Sequence, residues 1–217
     1  MTDVKICGIR HQNHLDCAAK SGARYIGLVF YPNSPRFIDP EMARILARSA
    51  PTGVRLVGLF VNPDNAFLDK VLSSVPLDMV QLHGSEPPVR VMEIKSTHTL
   101  PVIKAIPVAK DKDLQDVDEY SQVADWLLFD AKVTRTNDSF SSPLPGGNGV
   151  SFDWTILKNR RFSRPWMLSG GLHKGNVGDA LSILNPDAVD VSSGVEASVG
   201  EKDSSKISEF IQIVRQS

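Results

Sequence analysis

The chain has 217 residues, long enough to bury a core without help from disulfides or metals. Apolar residues make up 41% and charged residues 23%, and 24 basic against 25 acidic side chains leave a net charge of −1, which speaks against a nucleic-acid surface. No apolar run approaches the ~18–20 residues of a membrane span, the opening MTDVKICGIR lacks the layout of a signal peptide, and two cysteines, Cys7 and Cys17, are too few for a disulfide framework. A cytoplasmic protein with free thiols is expected.

Short apolar, β-branched runs alternate with helical spacing along the whole chain. VKICGI (4–9) is followed by a helix after Asn13 that Gly22 ends, and YIGLVF (25–30) by one that Pro40 opens. RLVGLFV (55–61) precedes a helix capped by Asp64, and MVQLHG (79–84) one opened by Pro87-Pro88. PVIKAI (101–106) leads to a helix after Asp111, and DWLLFDA (125–131) to one after Phe152-Asp153-Trp154. PWMLSGG (165–171) precedes a helix after Asn176, and AVDVSSG (188–194) one capped by Asp203. Strand and helix thus alternate eight times with no shift in composition. Parallel strands joined by helices need helices outside them. The expected fold is a single (β/α)8 TIM barrel over residues 1–217, the competing arrangement being an open doubly wound sheet.

In a barrel the reacting groups sit at the C-terminal strand ends, so residue alternation decides which side chains reach the mouth. If Val4 and Ile6 face the helices, Lys5 and Cys7 point inward; likewise Gln81 and His83 on the fourth strand, Asp130 on the sixth, and Asp190 and Ser192 on the eighth. Lys104 is read as the inward polar residue of the fifth strand. Each has a plain alternative: a lone cysteine is usually a small core residue, and a strand-end aspartate often caps a loop. Five strands sending polar groups to one end is what favours a site.

Glycines form a second pattern. Strand seven ends at Gly170-Gly171 and strand eight at Ser193-Gly194. Glycine lets backbone N–H groups approach a ligand, and the loops after strands seven and eight are the usual phosphate site of barrels. Residues 195–198 are expected to form a short helical turn aimed at the anion. Gly147 and Gly149 of the sixth loop could close over the same group, while the alternative is that these glycines only turn the chain. Asp190 would repel a phosphate, so it is expected to orient a substrate hydroxyl or to pair with Lys5. No histidine–cysteine cluster has metal-ligand spacing.

These stretches together resemble the phosphoribosylanthranilate isomerase family of tryptophan biosynthesis. The resemblance rests on VKICGIR, GLVFYPNSPRFI, VGLFVN, VQLHGSEP, IKAIPV, LLFDAK, PGGNGVSFDW, LSGGL and VDVSSGVE…GEKD, in the family's order. It implies an Amadori rearrangement of an N-(5-phosphoribosyl)anthranilate aminoaldose to the aminoketose, with Cys7 as general base, Asp130 as general acid and Arg36 holding the anthranilate carboxylate. Only protons move, so neither metal nor organic cofactor is expected, and the partner is a small phosphosugar. A monomer is favoured over a homodimer. The departure from the family is the sixth loop, where the Ser/Asn/Pro-rich stretch 133–145 reads as a lid or a surface excursion. The alternative from another class is a catalytically silent phosphosugar-binding barrel, which would need neither Cys7 nor Asp130.

Overall fold

A computed structural model of the chain describes residues 1–132, 149 and 151–217. Eight parallel strands close into a barrel in sequence order. They are β1 (Asp3–Cys7), β2 (Tyr25–Val29), β3 (Arg55–Phe60), β4 (Met79–Leu82), β5 (Val102–Val108), β6 (Trp126–Ala131), β7 (Trp166–Leu168) and β8 (Ala188–Val191). β1 seals the barrel against β8, with Lys5 in register with Asp190. The helices are α1 (Gln12–Ser21), α2 (Pro40–Arg48), α3 (Asn65–Ser74), α4 (Pro88–His98), α5 (Val117–Val123), α6 (Val177–Ile183) and α7 (Ser204–Gln216). After β8 a hairpin of β9 (Glu196–Ser198) and β10 (Glu201–Lys202) precedes α7.

Local chemistry sets the helix ends. The carboxylates of Asp39, Asp64 and Asp203 accept backbone N–H groups in the first turns of α2, α3 and α7. Gly22, at φ 102°, closes α1 with its N–H on the Ala18 and Ala19 carbonyls, a left-handed position that suits glycine. At the far end of the barrel Asp78, Asp125 and Asp187 each accept the N–H of a strand residue, Leu56, Val102 and Trp166, at 2.7, 2.9 and 2.9 Å. These acids pin the N-terminal ends of the strands and are remote from the chemistry.

Alternation divides the core in two. Val4, Ile6, Val80, Leu82, Leu127, Phe129, Val189 and Val191 pack outward against the helices, with Leu15, Leu68, Val91 and Phe210 among their partners. Tyr25, Val57, Met79, Ile103, Leu128 and Met167 fill the barrel interior. Cys7, Val29 and Leu59 form a small layer of their own.

Three expectations need correction. Lys104 shares its parity with Val102 and Ile106, which face the helices, whereas Ile103 and Ala105 face in. Its ammonium therefore stays outside the barrel and meets Glu86 Oε2 at 2.6 Å and the Gly84 carbonyl at 2.7 Å. The sixth unit has, among its described residues, a 3₁₀ turn over Trp154–Leu157 instead of an α-helix. Finally, 195–198 is not a helical turn: a 3₁₀ turn covers Ser193–Val195, and Glu196–Ser198 is extended and paired with β10. The stretch 133–145 and Gly147 lie outside the described residues.

Candidate active site

Cys7, Arg36, His83, Asp130, Asp190 and Ser192 all line one narrow cavity of about 40 Å³ at the barrel mouth. Gln81 lies deeper and fully buried, as does Lys5. A wider cavity of about 600 Å³ adjoins it, sharing His83 and Asp130 and extending over the loops after β3 to β6; Lys104 lines its flank.

Cys7 ends β1 opposite Gly27 of β2. A Cβ at Gly27 would lie 2.8 Å from Cys7 Sγ, so this glycine makes the room that the sulfur occupies. Burial pushes the thiol's pKa up; the positive charges of Lys5 and Lys202 act against this without overcoming it. The raised value favours the thiol over the thiolate. Lys5 itself loses by burial, yet the Asp190 carboxylate beside it keeps its pKa up. Its Nζ meets Asp190 Oδ1 at 2.8 Å, the pairing that their register imposes. Ser169 Oγ also reaches Asp190, at 3.3 Å. The thiol thus sits beside an ammonium whose own counter-ion is fixed.

Asp130 ends β6. One carboxylate oxygen accepts the Ala131 N–H at 2.9 Å, and the other lies 3.1 Å from His83 Nε2. His83 Nδ1 is in turn 2.8 Å from the Gln81 amide nitrogen. Carboxyl and thiol come from β6 and β1 and share the walls of one cavity, so a molecule held there can meet both.

Arg36 follows β2 and is 5% exposed. Its Nε and Nη2 make a two-pronged contact with Glu196, at 2.7 and 2.9 Å. Lys202 adds a third charge at 2.8 Å from Glu196 Oε1, and the Gly200 N–H reaches Oε2 at 3.2 Å. Lys202 also holds the Ser192 carbonyl at 2.9 Å, and Ser192 Oγ donates to the Cys7 carbonyl at 3.2 Å. The β9–β10 hairpin thereby ties Arg36 to the end of β1. Glu196, Lys202 and Gly27 escaped the sequence reading. The charges at 196 and 202 stood in the GVE…GEKD stretch, but their spacing gave no sign that both turn inward.

The loops after β7 and β8 come together. Gly170 and Gly171 have φ of 90° and 62°. A Cβ at Gly194 would lie 1.9 Å from the Leu172 carbonyl oxygen, so the loops after β7 and β8 touch backbone to backbone. Gly149 comes to the same corner: a Cβ there would be 3.8 Å from Ser193 Oγ. Gly194→Ala should therefore push these two loops apart, and we expect a weakened affinity for inorganic phosphate by calorimetry together with a lowered Tm. Wild-type values for both would show that the contact is dispensable.

A closed parallel eight-stranded barrel whose carboxyl and thiol groups line one cavity at the C-terminal mouth falls in the class of (β/α)8-barrel enzymes, which carry their active sites at that face. Within that class the chain belongs to the N-(5'-phosphoribosyl)anthranilate isomerase family, whose sequence profile matches residues 4–213. It is 52% identical over 208 residues to the N-(5'-phosphoribosyl)anthranilate isomerase of Rhodospirillum centenum, covering 96% of this chain and 95% of the relative. Among solved structures it is similar to monomers generated from the dimeric phosphoribosylanthranilate isomerase of Thermotoga maritima (37% identity, TM-score 0.84, all of both chains). It is equally similar to a phosphoribosyl anthranilate isomerase in complex with reduced 1-(o-carboxyphenylamino)-1-deoxyribulose 5-phosphate (37% identity, TM-score 0.84, all of both chains). Among the described residues no helix is long and apolar enough to cross a membrane.

Proposed function

We propose that the protein isomerises N-(5'-phosphoribosyl)anthranilate to 1-(2-carboxyphenylamino)-1-deoxyribulose 5-phosphate in tryptophan biosynthesis, with Asp130 as general acid and Cys7 as general base. The observation that carries this reading is the shared cavity of thiol and carboxyl, one on each side, in a chain of that family. Asp130 protonates the ribose ring oxygen and the ring opens to an iminium. The iminium acidifies the C2′ proton and brings the positive charge that the buried thiol lacks. Cys7, once its own thiol proton has passed to solvent, removes the C2′ proton as the thiolate, with Lys5 beside it holding the charge. The resulting enolamine becomes the ketone when C1′ takes up a proton and the C2′ hydroxyl gives its own up to solvent. Asp190, paired with Lys5, fixes the ammonium and stays clear of the phosphate.

The phosphate lies against the backbone of Gly170, Gly171, Ser193 and Gly194, with Gly149 beside it; Gly147 belongs to the same proposed loop. Arg36, held in place by Glu196, receives the anthranilate carboxylate. Gln81 supports His83 in the cavity wall. All of these groups come from one chain, which favours an active monomer.

The deciding experiment is turnover of N-(5'-phosphoribosyl)anthranilate by purified protein, followed by loss of anthranilate-type fluorescence. Turnover that disappears in Cys7→Ser supports the isomerase. Product-analogue binding without any turnover would instead make the chain a silent binding barrel. A second check concerns Arg36. Lysine cannot reproduce a two-pronged guanidinium contact, so Arg36→Lys should raise KM about tenfold or more through the lost carboxylate contact. Unchanged KM and kcat would remove Arg36 from the site.

A further inference from the structure

The proposed acid, Asp130, has a companion array that the reaction scheme leaves unused. Gln81 is fully buried inside the barrel, and its amide oxygen has no hydrogen-bond partner among the described residues. Its amide nitrogen lies 2.8 Å from His83 Nδ1, and His83 Nε2 lies 3.1 Å from Asp130 Oδ2. An amide NH2 can only donate, so Nδ1 must accept, and the neutral imidazole carries its proton on Nε2. That proton then points at Asp130, which is served as a carboxylate. A half-turn of the Gln81 amide reverses each role. The amide oxygen gains the partner it lacks by accepting from Nδ1–H. Nε2 can then accept from a protonated Asp130, or the imidazolium can face the carboxylate. Both of these forms hold one proton more than the first.

We propose that Gln81 and His83 are positioning residues for the acid step: the His83–Asp130 pair stores the proton that Asp130 delivers, and the face of the Gln81 amide turned to Nδ1 distinguishes the loaded pair from the spent one. The inference rests on the reading of Asp130 as acid. The cycle balances: Asp130 gives its proton to the ring oxygen, the pair is left one proton short, and the amide turns its NH2 to Nδ1. Reloading takes a proton from solvent through the wider cavity, on which both His83 and Asp130 border. An unpaired buried oxygen is costly, which biases the pair against the spent orientation without forbidding it. Cys7, Arg36 and Asp190 face the pair across the small cavity. Lys104, Asp113 and Lys132 border the larger one, with Lys112 and Asp116 beside them.

The test uses the full-length protein labelled with ¹⁵N-histidine, the His83 signals being assigned by their absence in His83→Asn. Gln81→Glu places an acceptor-only group against Nδ1, so His83 should move from the Nε2–H form to a form protonated at Nδ1. We expect His83→Asn to lower kcat about 10²-fold, the low end for a positioned proton-transfer group, with KM little changed. In an Asp130→Asn background neither His83→Asn nor Gln81→Glu should cost anything further. A His83 tautomer indifferent to Gln81→Glu overturns the inference. So does full turnover in His83→Asn while Asp130→Asn is inactive, a result that leaves the acid assignment standing. Full turnover in Asp130→Asn overturns the acid assignment itself. Gln81 is buried, and should Gln81→Glu not fold, the His83→Asn and Asp130→Asn cycle decides alone.

Discussion

Cys7→Ala should lower turnover by roughly 10²–10⁴, the usual worth of a positioned base, while the protein stays folded. The two effects separate because of where the residue sits. Cys7 is 4% exposed in a small layer with Val29 and Leu59, against which Tyr31 and Val61 pack. Truncation to alanine removes one sulfur, a loss of about 1 kcal/mol for a small core deletion. Removing the sulfur takes away the proposed base and leaves the Lys5–Asp190 pair intact at 2.8 Å. Steady-state turnover alongside a urea unfolding curve checks both halves. Near-full activity in the alanine variant would rule Cys7 out as the base. Cys7→Ser is a useful companion, because an alcohol in the same position is far harder to deprotonate than a thiol.

The second large effect concerns stability. Burial alone would push the Glu196 carboxyl up, but hydrogen bonds and charge from Arg36 and Lys202 hold it at about 2, against an ordinary 4.5. A depressed folded-state value means stability that is fully present above about 4.5 and is lost as pH falls toward 2. At about 1.4 kcal/mol for each pH unit, this amounts to about 3 kcal/mol. Glu196→Gln removes the anion and strands two buried cations, 5% and 4% exposed. Breaking a buried pair in this way costs about 3–5 kcal/mol. The variant should therefore unfold at lower urea concentration at pH 7. The gap from wild type should narrow as the pH is lowered from 4.5 toward 2. A pH-independent gap would mean that the carboxylate's charge is not what holds the cluster.

Much of the barrel was legible because burial on both faces writes itself into strands as continuous apolar, β-branched runs, and a polar residue within such a run is conspicuous. Lys5, Gln81, His83, Asp130 and Asp190 were all found that way. The same signal misled at Lys104. A lysine among apolar residues looks alike on either face, and only Glu86, brought by the loop after β4, explains how its charge is tolerated outside the barrel at 2.6 Å. Alternation also could not reveal that the sixth unit carries a 3₁₀ turn, since Trp154–Leu157 has the composition of a helix start without its length. The Arg36–Glu196 contact spans 160 residues of sequence. No local pattern encodes such a pairing; it exists only once the strand order has closed the barrel.

That closure has a consequence for how the protein is made. Lys5 finds Asp190, Ser192 finds the Cys7 carbonyl, and Arg36 finds Glu196, so β1 and the loop after β2 depend on segments made 160 to 185 residues later. A nascent chain that has emerged only through β7 already carries both proposed proton-transfer groups, yet Lys5 is without its counter-ion and Arg36 without its carboxylate. Contacts of such long sequence separation are late and slow to form. The paired site therefore forms only with β8 and the hairpin after it, and a chain made only through β7 holds Lys5 without the carboxylate that offsets its burial.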